Sequence, residues 1–349
     1  MTRIILAYKN MAAMTAISHI GLGVAALNTC KVLQSNGYRV EVWAVDTTAQ
    51  LIQRIAGAQA ESVPITHFVM SAPWIPALDW QRLCIMFHRI QFTCSSHSNV
   101  GFLQADPRAA KFMTVDGPAL EVGFPNFTLA ANSQALCAFL KAGYAAACQY
   151  LPNLYFLNGL TRAGRPLWTS GDLRIGCFGA ARVQKNHVSA SAAAIEIASR
   201  LRAQLEFWVS GGRNDGMGGS AATVVKQIIT SCKFASYHEV PWEQWPIFRR
   251  TIANMHLLMQ PSYTESFNIV TADGVAEGVP SVVSSAIDWV PDHWQADADD
   301  VADIARVGSA LLKNADAAQE GLESLTSYVT TGAAIWAKWI TSTAQPTGS

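Results

Sequence analysis

Residues 257–283 constrain the fold of this chain more than any other stretch. An apolar run ends at Pro261, a polar turn follows, a helix-length segment closes at Gly278 and Pro280, and a short apolar run follows at once. This order predicts strand, loop, helix and strand, which is one half of a parallel α/β unit. The rest of the chain is therefore expected to supply further parallel strands and helices.

The start of this predicted helix carries groups suited to a phosphate and to hydroxyl groups. The backbone N–H groups expected at the positive end of the helix dipole, where an anion or a sugar oxygen binds well, are those of Ser266, Phe267, Asn268 and Ile269. Glu265 precedes them, and Asp273 follows eight positions later. Because a carboxylate repels a phosphate, these two acids are better suited to accept hydrogen bonds from neutral hydroxyl groups. The stretch therefore predicts a nucleotide-sugar pocket.

Residues 261–267, Asp273 and residues 277–280 together resemble a known signature. It is that of the retaining glycosyltransferases of the GT-B fold, in the glycogen-synthase-like (glycosyltransferase family 4-like) group that carries Glu-x7-Glu. Asp273 stands where this group has its second Glu, so the side chain is one methylene shorter. The resemblance implies an α/β protein of two Rossmann-like domains facing across a cleft, with the acceptor on the first and the nucleotide sugar on the second. An acidic first turn on an ordinary core helix is the structural alternative.

The size of the chain favours two domains. It has 349 residues, half of them hydrophobic, and single cores rarely grow beyond ~250 residues. We place the domains at residues 1–160 and 161–330, with linker composition around residues 151–153 and at residues 158–166. Residues 331–349 are expected to form a helix that returns to the first domain, with a tail from residue 341.

Charge, hydropathy and cysteine usage indicate the class of protein. Twenty-five basic residues balance twenty-five acidic ones, so the total charge demands neither nucleic acid nor an anionic membrane. No run reaches the ~18 apolar residues of a membrane helix, and residues 4–8 are too short for a signal peptide. Seven cysteines without metal-type spacing indicate reduced, mostly buried thiols. We therefore expect a cytoplasmic protein without integral membrane association, either a monomer or a dimer.

A glycine-containing segment opens the first predicted helix. Gly21-x-Gly23-x-x-Ala26, with Asp46 after the second strand, can be read as the dinucleotide fingerprint of an NAD(P) oxidoreductase. That reading requires the glycines directly after the strand, whereas about a dozen residues intervene here. The resemblance implies instead that Gly21 and Gly23 form the turn near the donor phosphates. A plain helix-start turn is the structural alternative.

The strand predicted at residues 90–94 leads into a polar turn that contains His97. The resemblance implies that a histidine at the end of this strand points at the donor sugar. His97 is the candidate and His88 its rival, although a lone histidine can equally be structural.

The second domain contains the remaining candidates. The resemblance implies that Arg182 and Lys185 clamp the donor diphosphate, although Ala180 stands where many members have an arginine. Fixed cations at this place can stabilise the departing diphosphate without a metal. The resemblance also implies that Gly211 and Val240, at the ends of two later strands, lie near the donor.

Asp297 and Asp299 superficially form an Asp-x-Asp metal motif. They lie at the start of a helical pattern at residues 301–312, where acidic residues commonly cap the helix. We therefore expect no metal site. The nucleoside diphosphate sugar is a co-substrate, and no other cofactor is expected.

These assignments predict transfer of a hexose from a nucleoside diphosphate sugar to an acceptor hydroxyl, with retention of configuration and without a metal. A UDP-sugar such as UDP-glucose is the favoured donor. Glu265 and Asp273 would hold donor hydroxyls, Arg182 and Lys185 the diphosphate, and His97 the reacting sugar.

The acceptor and the class of protein stay open at this point. A soluble glycan, a small molecule, or a hydroxymethylated DNA base as in phage-type DNA glycosyltransferases would each fit. DNA requires a positive rim, for which Lys9, Arg89, Arg108 and Lys111 are available. A non-catalytic sugar-nucleotide-binding protein is the alternative if Asp273 or Ala180 disables the site.

Overall fold

The computed structural model describes residues 2–10, 20–157, 168–212 and 218–344. The chain forms two compact units. Of the described residues, the first unit holds those up to Phe156 and those from Val329 onward, and the second holds those between Leu157 and Tyr328. The linker composition at residues 158–166 lies outside the described residues.

The first unit is built on a six-stranded parallel sheet in the order β2-β1-β3-β4-β5-β6. Its strands are β1 Arg3–Lys9, β2 Arg39–Val45, β3 His67–Ser71, β4 Gln91–Ser96, β5 Phe127–Ala131 and β6 Gln149–Tyr150. Every residue of β3 and β4 is buried, as expected of parallel strands that are covered on both faces. The helices of this unit are α1 Ile20–Ser35, α2 Thr48–Gln59, α3 Ala77–Met86, α4 Val100–Leu103, α5 Pro107–Lys111, α6 Gly117–Gly123 and α7 Gln134–Tyr144, with a π-helical turn at Phe112–Asp116.

The second unit contains a five-stranded parallel sheet in the order β11-β10-β7-β8-β9. Its strands are β7 Asp172–Cys177, β8 Gln204–Ser210, β9 Ala235–Val240, β10 Leu257–Gln260 and β11 Ser281–Val283. The helices are α8 His187–Leu201, α9 Gly218–Thr230, α10 Trp245–Ala253, α11 Ile269–Ala276, α12 Val301–Leu311 and α13 Ala317–Thr343. The succession β10, loop, α11 and β11 confirms the prediction made from residues 257–283.

An aromatic cluster lies in the core of the first unit. Trp80 of α3 is fully buried, and its ring centroid lies 6.4, 6.0 and 5.3 Å from those of Phe68, Phe92 and Phe127. These are edge-on contacts, the arrangement that aromatic quadrupoles favour. The cluster fixes α3 against the centre of the sheet.

The part of α13 from Val329 onward belongs to the first unit and packs in its core. Trp336 and Trp339 are buried with Ile4 and Leu6 of β1, and the indole N–H of Trp336 donates to the Pro152 carbonyl at 2.8 Å. The helix continues to Thr343, so the expectation of a tail from residue 341 is corrected by this length. None of the helices within the described ranges is long and apolar enough to cross a bilayer.

Candidate functional site

The order of strands in the second sheet indicates where a ligand would bind. From β7 the chain adds β8 and β9 on one side and β10 and β11 on the other, so the direction of winding reverses between β7 and β10. In open parallel sheets, ligands bind outside the carboxyl ends of the strands at such a reversal. The loops that leave β7 and β10 contain Lys185 and Glu265, and the topology therefore brings together two residues that are 80 positions apart.

Lys185 and Glu265 form an ion pair that is largely removed from water. Lys185 Nζ donates to Glu265 Oε2, and the side chains are 17% and 16% exposed. Glu265 Oε2 also accepts from Asn268 Nδ2 at 3.2 Å. Lys185, which is expected to bind a diphosphate, is thus paired with Glu265, which is expected to accept hydrogen bonds from sugar hydroxyls. Removing either partner would leave the other charge poorly compensated, which is the costly way to break a buried pair.

Asn268 organises the turn between β10 and α11. Its backbone is left-handed at φ 61°, and its Oδ1 caps the helix by accepting the Thr271 N–H at 2.9 Å. Its Nδ2 also donates to Gln260 Oε1 at 3.0 Å, while Gln260 Nε2 donates to the Phe178 carbonyl at 3.1 Å. Asparagine tolerates this conformation better than most residues. The network therefore ties the end of β10 to the chain that follows β7.

The helix begins at Ile269, three residues later than Ser266, which corrects the expected position of its first N–H groups. The left-handed backbone at Asn268 separates Ser266 and Phe267 from the helix. The Ser266 N–H lies 3.4 Å from Glu265 Oε1, and Phe267 is buried with its ring stacked on Trp289. Donor binding by these four residues stays a prediction.

Asp273 lies in the second turn of α11 and is only 1% exposed. Its Oδ1 accepts the indole N–H of Trp245, on α10, at 2.9 Å. The guanidinium of Arg249 lies 5.5 Å from the centroid of the same indole and pairs with Glu277 at 2.6 Å. A hydroxyl that binds Asp273 at this oxygen would have to replace the Trp245 indole. Nothing in the local sequence signals this partner, because it comes from another helix.

The basic loop after β7 is held by close backbone contacts. Arg182 is half-buried, and its carbonyl accepts the Lys185 N–H at 3.1 Å in a single 3-10 turn. Asn186, left-handed at φ 55°, donates to the carbonyls of Pro261 and Ala298 at 3.1 and 2.7 Å. Ala180 is buried, so its side chain is part of the packing. Sequence reasoning missed Asn186, which fixes this loop to the loop after β10.

Gly211 and Val240 lie at the carboxyl ends of β8 and β9. The Gly211 N–H donates to the Val240 carbonyl at 2.7 Å, so this carbonyl is used within the sheet. A Cβ at Gly211 would lie 2.3 Å from the Glu239 carboxylate, so a larger residue here would require this side chain to move. Beside it is a cavity of about 200 Å³, whose lining includes Lys226 and Glu239. Residues 213–217, which follow β8, lie outside the described residues.

Gly21 and Gly23 lie inside α1, as its second and fourth residues. The residues before them, 11–19, lie outside the described chain. A Cβ at Gly23 would contact the ring of Tyr8 at 3.4 Å, whereas one at Gly21 would meet open space. Gly23 therefore allows close packing of α1 on the end of β1, and the role of both glycines near a donor stays a prediction.

His97 follows the carboxyl end of β4, whereas His88 precedes the amino end of the same strand. Part of His97 reaches the surface, yet the packing around the imidazole desolvates it and lowers its pKa to about 4. The ring is therefore neutral at pH 7, and its Nδ1 lies 3.5 Å from Asn132 Nδ2. Asn132, after β5, is buried, and sequence reasoning did not single it out. Since ligands bind at carboxyl ends of parallel strands, the fold favours His97 over His88.

The acidic segment before α12 supplies the N-cap of this helix, as expected for acidic residues at this position, and the absence of a metal site stays a prediction. Asp300 is the N-cap, and its Oδ1 accepts the N–H groups of Ala302 and Asp303 at 2.8 and 3.1 Å. Asp297 accepts the Asp299 N–H at 2.9 Å. Across the part of the chain that the structure describes, no group of three or more His, Cys, Asp or Glu side chains could hold a metal ion.

No protein-family model matches the sequence, and no curated protein matches it either. Solved structures, in contrast, match along nearly the whole chain. A sucrose-phosphate synthase from Thermosynechococcus elongatus is 14% identical with a TM-score of 0.68, covering 97% of this chain and 99% of that one. The catalytic domain of starch synthase IV from Arabidopsis thaliana, bound to ADP and acarbose, is 11% identical with a TM-score of 0.67, covering 98% and 99%. Anabaena HepE, in complex with UDP and glucose, is 14% identical with a TM-score of 0.66, covering 98% and 100%.

These similarities establish the fold. The chain has the GT-B fold with two Rossmann-like units, which confirms the predicted fold class and, at the level of structure, the resemblance to the glycogen-synthase-like group. At 11–14% identity the likeness concerns the fold alone.

The Lys185–Glu265 pair predicts non-additive effects on stability. We expect Lys185→Met and Glu265→Gln each to lower the free energy of unfolding by about 2 kcal/mol, because each leaves a shielded charge without its partner. The double variant should lose clearly less than the sum of the two single losses. Urea unfolding of the four proteins measures this. The exposed Glu196–Arg200 pair of α8 is the matched control, for which each loss should be ~0.5 kcal/mol or less. Additive losses at Lys185 and Glu265 would contradict the prediction.

The depressed histidine pKa values predict acid sensitivity in a defined pH window. Burial lowers the pKa of His67, His97 and His187 to about 4, so the unfolded chain binds protons more readily than the folded one between pH 6.5 and 4. Stability present above pH 6.5 should therefore fall toward pH 4, by up to ~3 kcal/mol per histidine. Urea unfolding at several pH values measures the slope. His97→Asn should reduce it, whereas His88→Asn, at an exposed position, should not; equal slopes in both variants would refute the assignment.

Proposed function

We propose that this protein transfers a hexose from a nucleoside diphosphate sugar to an acceptor hydroxyl, with retention of configuration. The observation that carries the proposal is the pairing of Lys185 with Glu265 at the point where the strand order of the second GT-B sheet reverses. A ligand at this point meets a cation suited to phosphate and a carboxylate suited to hydroxyls. Two similar structures contain nucleotides, since HepE is in complex with UDP and glucose and starch synthase IV is bound to ADP and acarbose.

In the proposed reaction the protein acts mainly by placing fixed charges. Lys185 and Arg182 stabilise the negative charge that develops on the departing diphosphate, and the N-terminus of α11 adds its dipole. Glu265, in the loop before α11, accepts hydrogen bonds from donor hydroxyls, and Asp273 supports it from the second turn of α11. His97 is neutral at pH 7 and contacts the reacting sugar without repelling a cation-like transition state. Because side-chain cations take up the charge, the proposal needs no metal.

A UDP-sugar, with UDP-glucose first, is the proposed donor, and the proposed setting is the cytoplasm. The acceptor in the principal proposal is a soluble glycan or a small molecule. A non-catalytic sugar-nucleotide-binding protein would bind the same donors without turnover, so release of UDP from the donor distinguishes the two functions.

Donor binding tests the proposal directly. We expect UDP-glucose, without divalent metal, to raise the melting temperature by several degrees, because a ligand that binds only the folded state stabilises it. Lys185→Met should abolish the shift with both UDP and UDP-glucose, since it removes the phosphate partner. Glu265→Gln should weaken UDP-glucose more than UDP, because only the sugar needs the carboxylate.

Arg200→Met, which removes an exposed cation from α8, is the control and should behave as wild type. A panel of nucleoside diphosphates and their sugars, measured by thermal shift and calorimetry, covers donors other than UDP-glucose. If no nucleotide or nucleotide sugar shifts the wild-type melting temperature, the proposed function is withdrawn.

The two units differ in net charge, although the whole chain is neutral. This difference favours a second candidate acceptor, hydroxymethylated DNA. The first unit contains eleven Lys and Arg residues against seven Asp and Glu, whereas the second contains fourteen against eighteen. Of the basic residues considered for a positive rim, Arg89 and Arg108 are exposed, while Lys9 donates to the Asp46 carbonyl and Lys111 pairs with Asp116. The positive balance of the first unit suits an anionic acceptor.

If DNA is the acceptor, glucose transfer to a duplex with hydroxymethylcytosine should fall steeply between 50 and 200 mM salt, because phosphate contacts release counterions (about a thousandfold for six contacts). Arg108→Ala should weaken DNA binding and flatten the salt dependence, whereas Arg200→Ala should change neither. Radiolabel transfer and fluorescence anisotropy measure the two effects. Turnover of donor with a glycan and none with modified DNA would remove this candidate.

A further inference from the structure

Two cysteines of the first unit bring their sulfur atoms into contact. Cys137 lies in α7 and Cys148 directly precedes β6, and their Sγ atoms are 3.3 Å apart. Both residues are buried, and both are free thiols. Neither takes part in the proposed glycosyl transfer, so the contact needs an explanation of its own.

The turn between them is held in an unusual conformation. Ala145, which ends α7, and Cys148 both have positive φ, 51° and 32°, which is uncommon for residues other than glycine. Glu121 fixes this turn, since its Oε2 accepts the Ala147 N–H at 3.0 Å while its Oε1 accepts the Leu129 N–H of β5 at 2.9 Å. A carboxylate that is tied to the sheet therefore holds Cys148 against α7.

The contact also differentiates the two thiols. The Cys148 thiol donates to the Cys137 sulfur, and this hydrogen bond lowers the pKa of Cys137 and raises that of Cys148. The positive charge of Lys141, one turn further along α7, also favours the Cys137 thiolate. Since the thiolate is the nucleophile in disulfide exchange, Cys137 is the attacking residue and Cys148 the resolving one.

We propose that Cys137 and Cys148 are a redox modification site. Low-molecular-weight disulfides such as oxidised glutathione oxidise the two thiols, which then form a reversible disulfide with each other. The Cys137 thiolate attacks one sulfur of the oxidant, forming a mixed disulfide and expelling one thiolate. Cys148 gives up its proton to solvent and attacks the Cys137 sulfur, which expels the second thiolate. Two protein thiols are oxidised and one small disulfide is reduced to two thiols, so electrons and atoms balance.

The crosslink would act close to the loop that contains Asn132. Ser133, the next residue, caps α7 by accepting the Leu136 N–H at 3.2 Å, and Cys137 follows one turn later. A bond from Cys137 to Cys148 would fasten the first half of α7 to the chain entering β6. We therefore expect oxidation to stabilise the first unit against unfolding, and reduction to reverse this.

The tryptic map makes the test direct. Trypsin is expected to release residues 112–141 and 142–162 as separate peptides, and each contains a single cysteine, Cys137 or Cys148. The folded protein is treated with oxidised glutathione, then denatured, alkylated and digested without reductant. We expect a linked pair of these two peptides by mass spectrometry, alkylation of five cysteines instead of seven, and a melting temperature several degrees higher, all reversed by dithiothreitol.

Matched variants decide the outcome. Cys137→Ser and Cys148→Ser should lose the linked peptide and the shift in melting temperature, whereas Cys84→Ser, which removes another buried thiol, should retain both. A parallel treatment with diamide, a smaller oxidant, tests whether the size of oxidised glutathione prevents it from reaching the buried pair. Seven alkylated cysteines after both treatments, a glutathione adduct that never resolves, or linkage of Cys137 to other cysteines at equal yield would each overturn the proposal.

Discussion

The second unit depends on one buried polar network at the end of β10. Asn268 donates to Gln260 and Glu265, and Gln260 donates to the Phe178 carbonyl after β7. Lys185 completes the network from the other loop. Polar groups withdrawn from water are tolerated only when their hydrogen bonds are satisfied, so each member fixes the position of the next. The network therefore holds the loops after β7 and β10 together at the point where the strand order reverses, which is where a ligand is expected to bind.

Asn268 connects this network to the helix. Most residues other than asparagine, aspartate and glycine would be strained in this left-handed backbone, and a residue without a side-chain acceptor would leave the first turn of α11 uncapped. The same side chain bonds to Gln260 and Glu265 through its amide nitrogen. One residue thus sets where α11 begins, where Glu265 points and how β10 ends, and this explains why the first N–H groups of the helix start three residues after Ser266.

The sequence predicted the architecture better than the contacts within it. The alternation of apolar runs with turn residues predicted β10, α11 and β11, and the Glu-x7-Asp pattern pointed to the correct fold class. The start of α11 was wrong because Asn268 can occupy a helix interior or a cap, and only the backbone angle decides between them. The Trp245–Asp273 hydrogen bond and the Asn186 contacts join residues distant in sequence, so no local pattern could reveal them.

The ion pair has a consequence for the selectivity of the proposed donor site. In the absence of a ligand, Lys185 and Glu265 satisfy each other. A phosphate alone would draw Lys185 away from Glu265, and a sugar alone would draw Glu265 away from Lys185, so each incomplete ligand breaks an ion pair that is shielded from water. A ligand that carries both a diphosphate and a sugar supplies a new partner to each residue, so neither charge is left uncompensated. Under the proposed function, the pair is therefore expected to favour intact nucleotide sugars over either of their halves, because incomplete ligands are penalised and the complete one gains both contacts.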